Sequence, residues 1–292
     1  MKQVKSILCP LDLSEASIKA YKFGKYLADQ MDATLWILHV VPESPEFYST
    51  MFPELADLVG GIHSELEEKI DRIIDVEASN VKRVVLSGKP AEEILKFQEH
   101  KATDMIVMGA RGVSQIERLL LGSTADRVLR RATCPVLIVH GQFHTPKIRR
   151  ILVPTDFGEF SAHALGQAID LARHMQAEID LFHVMEVHTY DSRKISEFLE
   201  GAEGKKVEDE LRNSMTIPEG GEDVVIHKVI QRGFDPASEI LNYAAEESVD
   251  LIAMATHGRR GISRLILGSV TEKVIHYSPC SVLTIRHPKY SD

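Results

Sequence analysis

The chain has 292 residues, enough for one large or two ordinary domains, and its hydrophobic fraction of 44% is typical of globular proteins. Its formal net charge of −9 argues against general attraction to nucleic acid or to an anionic membrane. No apolar stretch approaches the roughly 20 residues that span a bilayer, and no signal-peptide region follows the N-terminus, so we expect a cytoplasmic protein without membrane or nucleic-acid partners.

In the first half, short apolar runs alternate with amphipathic segments, which is typical of parallel strands joined by helices. Residues 42–53 contain three prolines and predict a loop or a broken segment. The alternation predicts an α/β fold, a five-stranded parallel sheet with helices on both faces. The predicted strands cover residues 7–11, 34–40, 81–86, 104–108 and 135–139, and the predicted helices cover residues 14–31, 55–76, 91–100 and a segment ending at 131.

The same pattern returns in the second half at an offset of about 144 to 146 residues. The segment 9–12 (Cys-Pro-Leu-Asp) matches 153–156 (Val-Pro-Thr-Asp), and 134–137 (Cys-Pro-Val-Leu) matches 280–283 (Cys-Ser-Val-Leu). Residues 140–147 are polar and predict a linker. The sequence therefore predicts two copies of one domain, at residues 1–141 and 148–292.

A glycine-rich loop follows the fourth predicted strand: Gly109-Ala-Arg-Gly112, a nine-residue spacer, then Gly122-Ser123-Thr124. Glycine lets the backbone approach an anion closely, and the free N–H groups and positive dipole end of the next helix attract that anion. The loop therefore indicates a site for nucleotide phosphates.

The second half repeats this loop as Ala255-Thr-His-Gly258, nine residues, then Gly268-Ser269. Within the first loop, Arg111 could reach the phosphates, although an exposed loop arginine is usually only solvated. The sequence thus predicts one phosphate-type loop in each half.

A second explanation exists for the serines of both loops. Ser123-Thr-Ala-Asp126 and Ser269-Val-Thr-Glu272 fit the capping-box pattern, in which a serine and an acid stabilise a helix start. A capping box would explain the serine and the acid, but it would not explain the glycines.

Asp12 and Asp156 each follow the first strand of their half. Ligands of open parallel sheets bind at the carboxyl ends of the strands, where a carboxylate can accept hydrogen bonds from ribose hydroxyls or an adenine amine. The alternative is that each aspartate only begins a turn and caps the next helix.

Other polar residues have simpler explanations. His39 and His183 lie at equivalent strand ends, and strand-end packing or a structural hydrogen bond explains them better than chemistry. Cys9, Cys134 and Cys280 are an odd number without paired spacing, which indicates a reducing compartment and buried thiols. No metal-ligand spacing occurs, so we predict no metal site.

Several catalytic motifs are absent from the sequence. There is no G-x-x-x-x-G-K-[ST] loop, no glycine fingerprint after the first strand and no G-x-S-x-G elbow. No acidic cluster is spaced to hold a catalytic Mg²⁺. These absences favour binding over phosphoryl transfer.

The aspartate after the first strand, the Gly-x-x-Gly, nine-residue, Gly-Ser/Thr loop and the Cys-Pro-Val-Leu final strand together resemble the universal stress protein family. The resemblance covers both halves and implies two tandem Rossmann-like domains, a fold that binds ATP in some members. It implies that Asp12 and the backbone near Val40 hold adenosine. It also implies that phosphates and ribose are held by Gly109, Gly112, Gly122, Ser123 and Thr124.

In the second half, the resemblance implies the same roles for Asp156, Val184, Gly258, Gly268 and Ser269. Ala255 departs from the motif where a glycine is expected, and its methyl group could crowd the ligand or be harmless. The expected cofactor is ATP, with Mg²⁺ as an accompanying ion.

Three functions are compatible with these observations: a nucleotide-binding stress or regulatory protein, a slow ATPase or nucleotide transferase, and a scaffold with vestigial sites. The lack of a positioned base favours the first. In the resembled family the last strands mediate dimers, so we expect residues 136–139 and 282–285 to pair the halves as a pseudo-dimer or to form a homodimer.

Overall fold

A computed structural model describes residues 4–41, 68–74, 78–110, 121–140, 147–187, 202–258 and 267–288. The chain divides into two compact units, Lys2–His140 and Gly141–Asp292. Within the described residues, each unit alternates strands and helices in the order that the sequence predicts, and five strands of each unit pair side by side in parallel. The predicted tandem α/β fold is therefore confirmed.

In the first unit the strand order is β3-β2-β1-β4-β5, and all of its strand pairs are parallel. The predicted helix at 55–76 falls mainly outside the described residues. The elements are β1 (Ser6–Pro10), α1 (Glu15–Met31), β2 (Thr34–Val41), β3 (Val81–Ser87), α2 (Pro90–Lys101), β4 (Met105–Gly109), α3 (Ser123–Arg131) and β5 (Val136–Val139).

The second unit has the equivalent parallel order β8-β7-β6-β9-β10. Its strands are β6 (Arg150–Pro154), β7 (Glu178–Glu186), β8 (Ile226–Gly233), β9 (Leu251–Ala255) and β10 (Ser281–Ile285). Its described helices are α4 (Glu159–Met175), α5 (Ala202–Ser214), α6 (Pro236–Glu246) and α7 (Ser269–Tyr277). None of these helices, nor those of the first unit, combines the length and apolarity that a bilayer crossing requires.

The central strands are buried on both faces, which explains why they appear in the sequence as continuous apolar runs. Ile7 and Leu8 of β1 and Ile106 of β4 are fully buried. The strand β1 lies between β2 and β4, so the chain crosses over in opposite directions on its two sides. This reversal opens a crevice at the carboxyl ends of β1 and β4, the place where sheets of this type bind ligands.

Asp104 and Asp250, which correspond in the repeat, anchor the opposite end of each sheet. The Oδ2 atom of Asp104 accepts hydrogen bonds from the backbone N–H groups of Lys5 and Ser6, at 2.9 and 3.0 Å. Asp250 accepts the equivalent pair of bonds from the start of β6, at 2.7 and 3.0 Å. Both aspartates are therefore structural residues that satisfy the N–H groups where the first strand begins.

Candidate functional site

Asp12 lies directly beyond β1 at the carboxyl edge, before Leu13, whose φ of 67° is left-handed. Its Oδ1 atom accepts bonds from the backbone N–H of Ser14, at 3.0 Å, and from the Ser14 hydroxyl. Ser14, not Asp12, is the N-cap of α1, because its side chain accepts a bond from the N–H of Ser17. Oδ1 therefore closes the turn, whereas Oδ2 accepts no hydrogen bond from the described residues and can serve a ligand.

Asp156 repeats this arrangement in the second unit, before Phe157 with its φ of 60°. Its Oδ1 atom accepts bonds from the Gly158 N–H at 2.9 Å and the Ser161 hydroxyl at 2.7 Å. Its Oδ2 atom lies 3.2 Å from the point that a Cβ on Gly258 would occupy. The fold thus brings the carboxylate of Asp156 against a glycine of the predicted phosphate loop.

Val40 directs its backbone polar groups into the crevice. Alternate residues of β2 bond toward β1: the N–H of Thr34 donates to the Lys5 carbonyl at 2.8 Å, and the Leu38 carbonyl accepts from the Leu11 N–H at 2.9 Å. By this alternation, Val40 also directs its N–H and C=O toward the β1 side. Because β1 has already ended, these two groups open onto the space beside Asp12.

The second unit repeats the arrangement at Val184. On β7, the N–H of Glu178 donates to the Arg149 carbonyl at 2.8 Å, and the Phe182 carbonyl accepts from the Thr155 N–H at 2.8 Å. Val184 therefore also faces the β6 side beyond the end of that strand. Each unit thus combines a backbone donor and acceptor with a nearby carboxylate, a set that suits the edge of an adenine base and the hydroxyls of a ribose.

Two histidines connect the strand ends. The Nδ1 atom of the buried His39 lies 2.6 Å from the Leu11 carbonyl oxygen, and Nδ1 of His183 lies 2.8 Å from the Thr155 carbonyl oxygen. A carbonyl only accepts hydrogen bonds, so Nδ1 carries the proton in both rings. The structural hydrogen bond that the sequence suggested for these histidines is confirmed.

A glycine is the N-cap of α3 in the first unit and of α7 in the second. Gly122 has φ −61° and ψ 145°, and Gly268 has φ −60° and ψ 142°. The N–H of Gly122 donates to the Ala110 carbonyl at 2.8 Å, and that of Gly268 donates to the Thr256 carbonyl at 2.9 Å. No side chain of the described residues caps either helix, which leaves the first N–H groups of both helices available to an anion.

The capping-box explanation of the serines is not supported. Ser123 and Ser269 are the first residues inside their helices rather than N-caps, and both are exposed. Asp126 pairs instead with Arg130, at 2.9 Å from its Nε atom. An exposed serine at the first helical position is therefore placed to contact a ligand held by the helix start.

The first glycine of the motif has a packing reason. A Cβ on Gly109 would lie 2.7 Å from the backbone of Ala16, on α1. Such a contact is too short, so only glycine allows this helix to approach the strand. Ala255 holds the equivalent position at the end of β9, so the second unit accommodates a methyl group where the first unit has a glycine.

Among the residues that the structure describes, Gly268 has no such packing reason. A Cβ on it would meet its nearest neighbours, the Thr256 carbonyl oxygen, Thr271 Oγ1 and the Gly258 nitrogen, at 3.6 to 3.7 Å, and its φ suits any residue. A side chain would instead fill the space between the Gly258 N–H and the start of α7. A glycine at this position leaves the backbone open to close approach.

Sequence reasoning missed two buried residues of the second loop, Thr256 and His257, which lie 3% and 5% exposed. Thr256 Oγ1 and His257 Nδ1 are 2.9 Å apart. His257 holds the position equivalent to Arg111, and the aligned repeats could have shown this exchange. Arg111 and Gly112 themselves lie outside the described residues.

The cysteines offer no reactive group. Burial raises the pKa of the Cys134 thiol to about 12 and that of Cys280 to about 11, and it raises the pKa of Cys9 well above its usual range. Thiolates would therefore be scarce at neutral pH. Within the described part of the chain, no group of three or more histidine, cysteine or acidic side chains could hold a metal ion.

Comparisons with known proteins point to one family. Residues 3–140 and 147–286 each match the universal stress protein family model. A universal stress protein of Methanocaldococcus jannaschii is 35% identical over 138 residues, 46% of this chain and 81% of that protein. One of Mycolicibacterium smegmatis is 25% identical over 291 residues, 96% of both chains. The crystal structure of a universal stress protein from Archaeoglobus fulgidus DSM 4304 has a TM-score of 0.71 at 25% identity, covering 98% of this chain and 99% of that one.

Proposed function

Because the chain belongs to the universal stress protein family, we propose that each of its two units binds an adenine nucleotide, ATP in particular, and that the protein acts in a stress response or in regulation. The observation that carries the proposal is the space at Gly268. A glycine that no described neighbour requires stands before a helix start that no described side chain caps, and the same strand edge carries an aspartate and an open strand end.

Each group has a distinct role in this proposal. The first N–H groups of α3, beginning with that of Ser123, hold phosphates, since they present partial positive charge and no side chain of the described residues caps them. Thr124, in the same helical turn, adds a hydroxyl. The free oxygen of Asp12 accepts bonds from the ribose, and the backbone of Val40 meets the base. Where Mg²⁺ accompanies ATP, the phosphates are its expected ligands.

A calorimetric titration of the full chain with ATP tests the proposal, and we expect two sites per chain. Asp12→Asn keeps the acceptor that closes the turn but removes the carboxylate charge, so first-site affinity should fall about tenfold. Asp32→Asn is the control: this exposed residue ends α1 at a φ of 52°, which asparagine tolerates. No heat of binding at millimolar ATP would favour a scaffold with vestigial sites.

We expect hydrolysis to be absent or far below the roughly 1–10³ s⁻¹ of typical enzymes. Phosphoryl transfer needs an in-line nucleophile and groups that stabilise charge in the transition state. N–H groups that bind ground and transition states equally do not raise turnover. Steady-state phosphate release measures this, and release of several per second that is lost in Asp12→Asn would move the protein to the enzyme class.

Bound nucleotide would then act by favouring one conformation or partner. Pairing of the halves along residues 136–139 and 282–285, and a homodimer, stay predictions. Sedimentation velocity of the protein with and without ATP measures the oligomeric state directly.

A further inference from the structure

The geometry points to His39 and His183 as positioning residues for base recognition, an inference that rests on the proposed function. Each imidazole occupies the backbone carbonyl that would otherwise hold the N–H of Val40 or Val184. By doing so, it leaves that N–H and the neighbouring C=O for the edge of the adenine base.

The pairing of β1 with β2 supplies the first step. Pro10 pairs with Leu38, and the Leu11 N–H continues the ladder by donating to the Leu38 carbonyl at 2.9 Å. In a regular parallel ladder, the Leu11 carbonyl would next accept from the Val40 N–H. The structure does not form that bond, and the Leu11 carbonyl oxygen accepts instead from Nδ1 of His39 at 2.6 Å. The side chain has replaced the backbone donor.

The second unit makes the same exchange with different neighbours. The Thr155 N–H continues the ladder to the Phe182 carbonyl at 2.8 Å, and the Thr155 carbonyl then meets Nδ1 of His183 at 2.8 Å instead of the N–H of Val184. Threonine stands here where the first unit has leucine, yet the bond is kept. Both copies of the duplicated domain therefore keep this exchange although the residue that supplies the carbonyl differs.

The bond also fixes the start of the turn that carries the aspartate. In the first unit, the residue after Asp12 has a φ of 67°, and in the second unit the residue after Asp156 has a φ of 60°. Non-glycine residues adopt this conformation at a cost, and the surroundings must hold them there. Each histidine holds the carbonyl just before this turn, so it fixes the strand end and the carboxylate relative to each other.

A purely structural role would only satisfy a buried carbonyl. It would predict that a histidine variant is less stable, and that recognition of adenosine and recognition of phosphates are weakened equally. A positioning role predicts that recognition of adenosine suffers while recognition of phosphates does not. The two roles can therefore be separated by the choice of ligand.

The test compares His39→Leu with His39→Asn in the full chain, because the asparagine amide nitrogen can take the place of Nδ1. We expect His39→Leu to weaken ATP binding at the first site at least about tenfold, while inorganic tripolyphosphate binding changes less than about twofold. His39→Asn should restore ATP affinity to within about threefold of wild type. The fluorescence of Trp36, the single tryptophan and a residue of β2, reports whether the first unit stays folded.

Equal losses for ATP and tripolyphosphate, an unchanged ATP affinity in His39→Leu, or no rescue by His39→Asn would each overturn the inference. If His39→Leu fails to fold, His39→Gln replaces it, since its longer amide cannot reproduce the Nδ1 position. The same comparison at His183 repeats the test in the second unit. A wild-type protein that binds neither ATP nor tripolyphosphate would instead overturn the proposed function, and this inference with it.

Discussion

Replacing Gly122 with valine is expected to abolish ATP binding at the first site while the fold of that unit stays intact. The φ of Gly122 is −61°, which valine adopts readily, and at its counterpart Gly268 a Cβ would have no described neighbour closer than 3.6 Å. A branched side chain would fill the space in front of the helix N–H groups. We expect at least a hundredfold loss of affinity, about 2.7 kcal/mol, measured by calorimetry as a fall from two sites to one.

Two other glycine variants serve as controls. A Cβ on Gly166, within α4, would meet nothing within 4 Å, so Gly166→Ala should leave ATP binding unchanged and stabilise the helix by about 0.5–1 kcal/mol. Gly109→Ala should mainly lower stability, because its methyl group would collide with Ala16. Wild-type affinity in Gly122→Val would contradict the assignment of this loop to phosphates.

The largest loss of stability is expected from Asp180→Leu in β7. Asp180 is fully buried, and its Oδ2 atom lies 2.6 Å from Nε of Arg150 and 3.2 Å from the hydroxyl of Tyr243. Removing the carboxylate leaves the Tyr243 hydroxyl without this acceptor and leaves the partly buried Arg150 guanidinium with Glu247, at 2.7 Å, as its acidic partner among the described residues, which should cost about 3 kcal/mol. Hydrogen–deuterium exchange of peptides from β6 and β7 measures the loss as a lower free energy of opening.

A double variant distinguishes a lost ion pair from poor packing. Asp180→Leu combined with Arg150→Met removes both charges, so its loss should be clearly smaller than the sum of the single losses. Asp223→Ala is the matched control, because Asp223 pairs with Nε of Arg173 at 2.8 Å but is 60% exposed. It should cost less than about 1 kcal/mol. Strict additivity of Asp180→Leu and Arg150→Met would contradict the coupling.

In the first unit, the position equivalent to Asp180 is occupied by an aromatic residue. Trp36, like Asp180, is the third residue of its strand, and its ring packs edge-on against Phe97 at 5.6 Å, where the second unit has Tyr243. Lys101 lies 5.1 Å from the tryptophan ring. A duplicated fold thus accepts an aromatic cluster or a buried ion network at one site, which alignment of the repeats alone does not explain.

The sequence by itself determined the order of the elements, the duplication and the edge at which a ligand would bind. Apolar runs alternating with amphipathic segments can bury their surfaces only as a parallel sheet between helices. In a parallel sheet the carboxyl ends of all strands lie at the same edge. Asp12, which follows the first strand, and the glycine loop, which follows the fourth, are therefore expected at that edge.

Only the tertiary structure decided which of these residues serve the fold and which remain for a ligand. Gly109 is explained by α1, Asp104 by the start of β1, and His39 by a carbonyl 28 positions earlier in the chain. Gly268, in contrast, has no neighbour in the described part of the chain that requires a glycine. These distinctions depend on the distances between side chains and carbonyls that face each other across separate strands and helices. The periodicity of the sequence does not determine those distances.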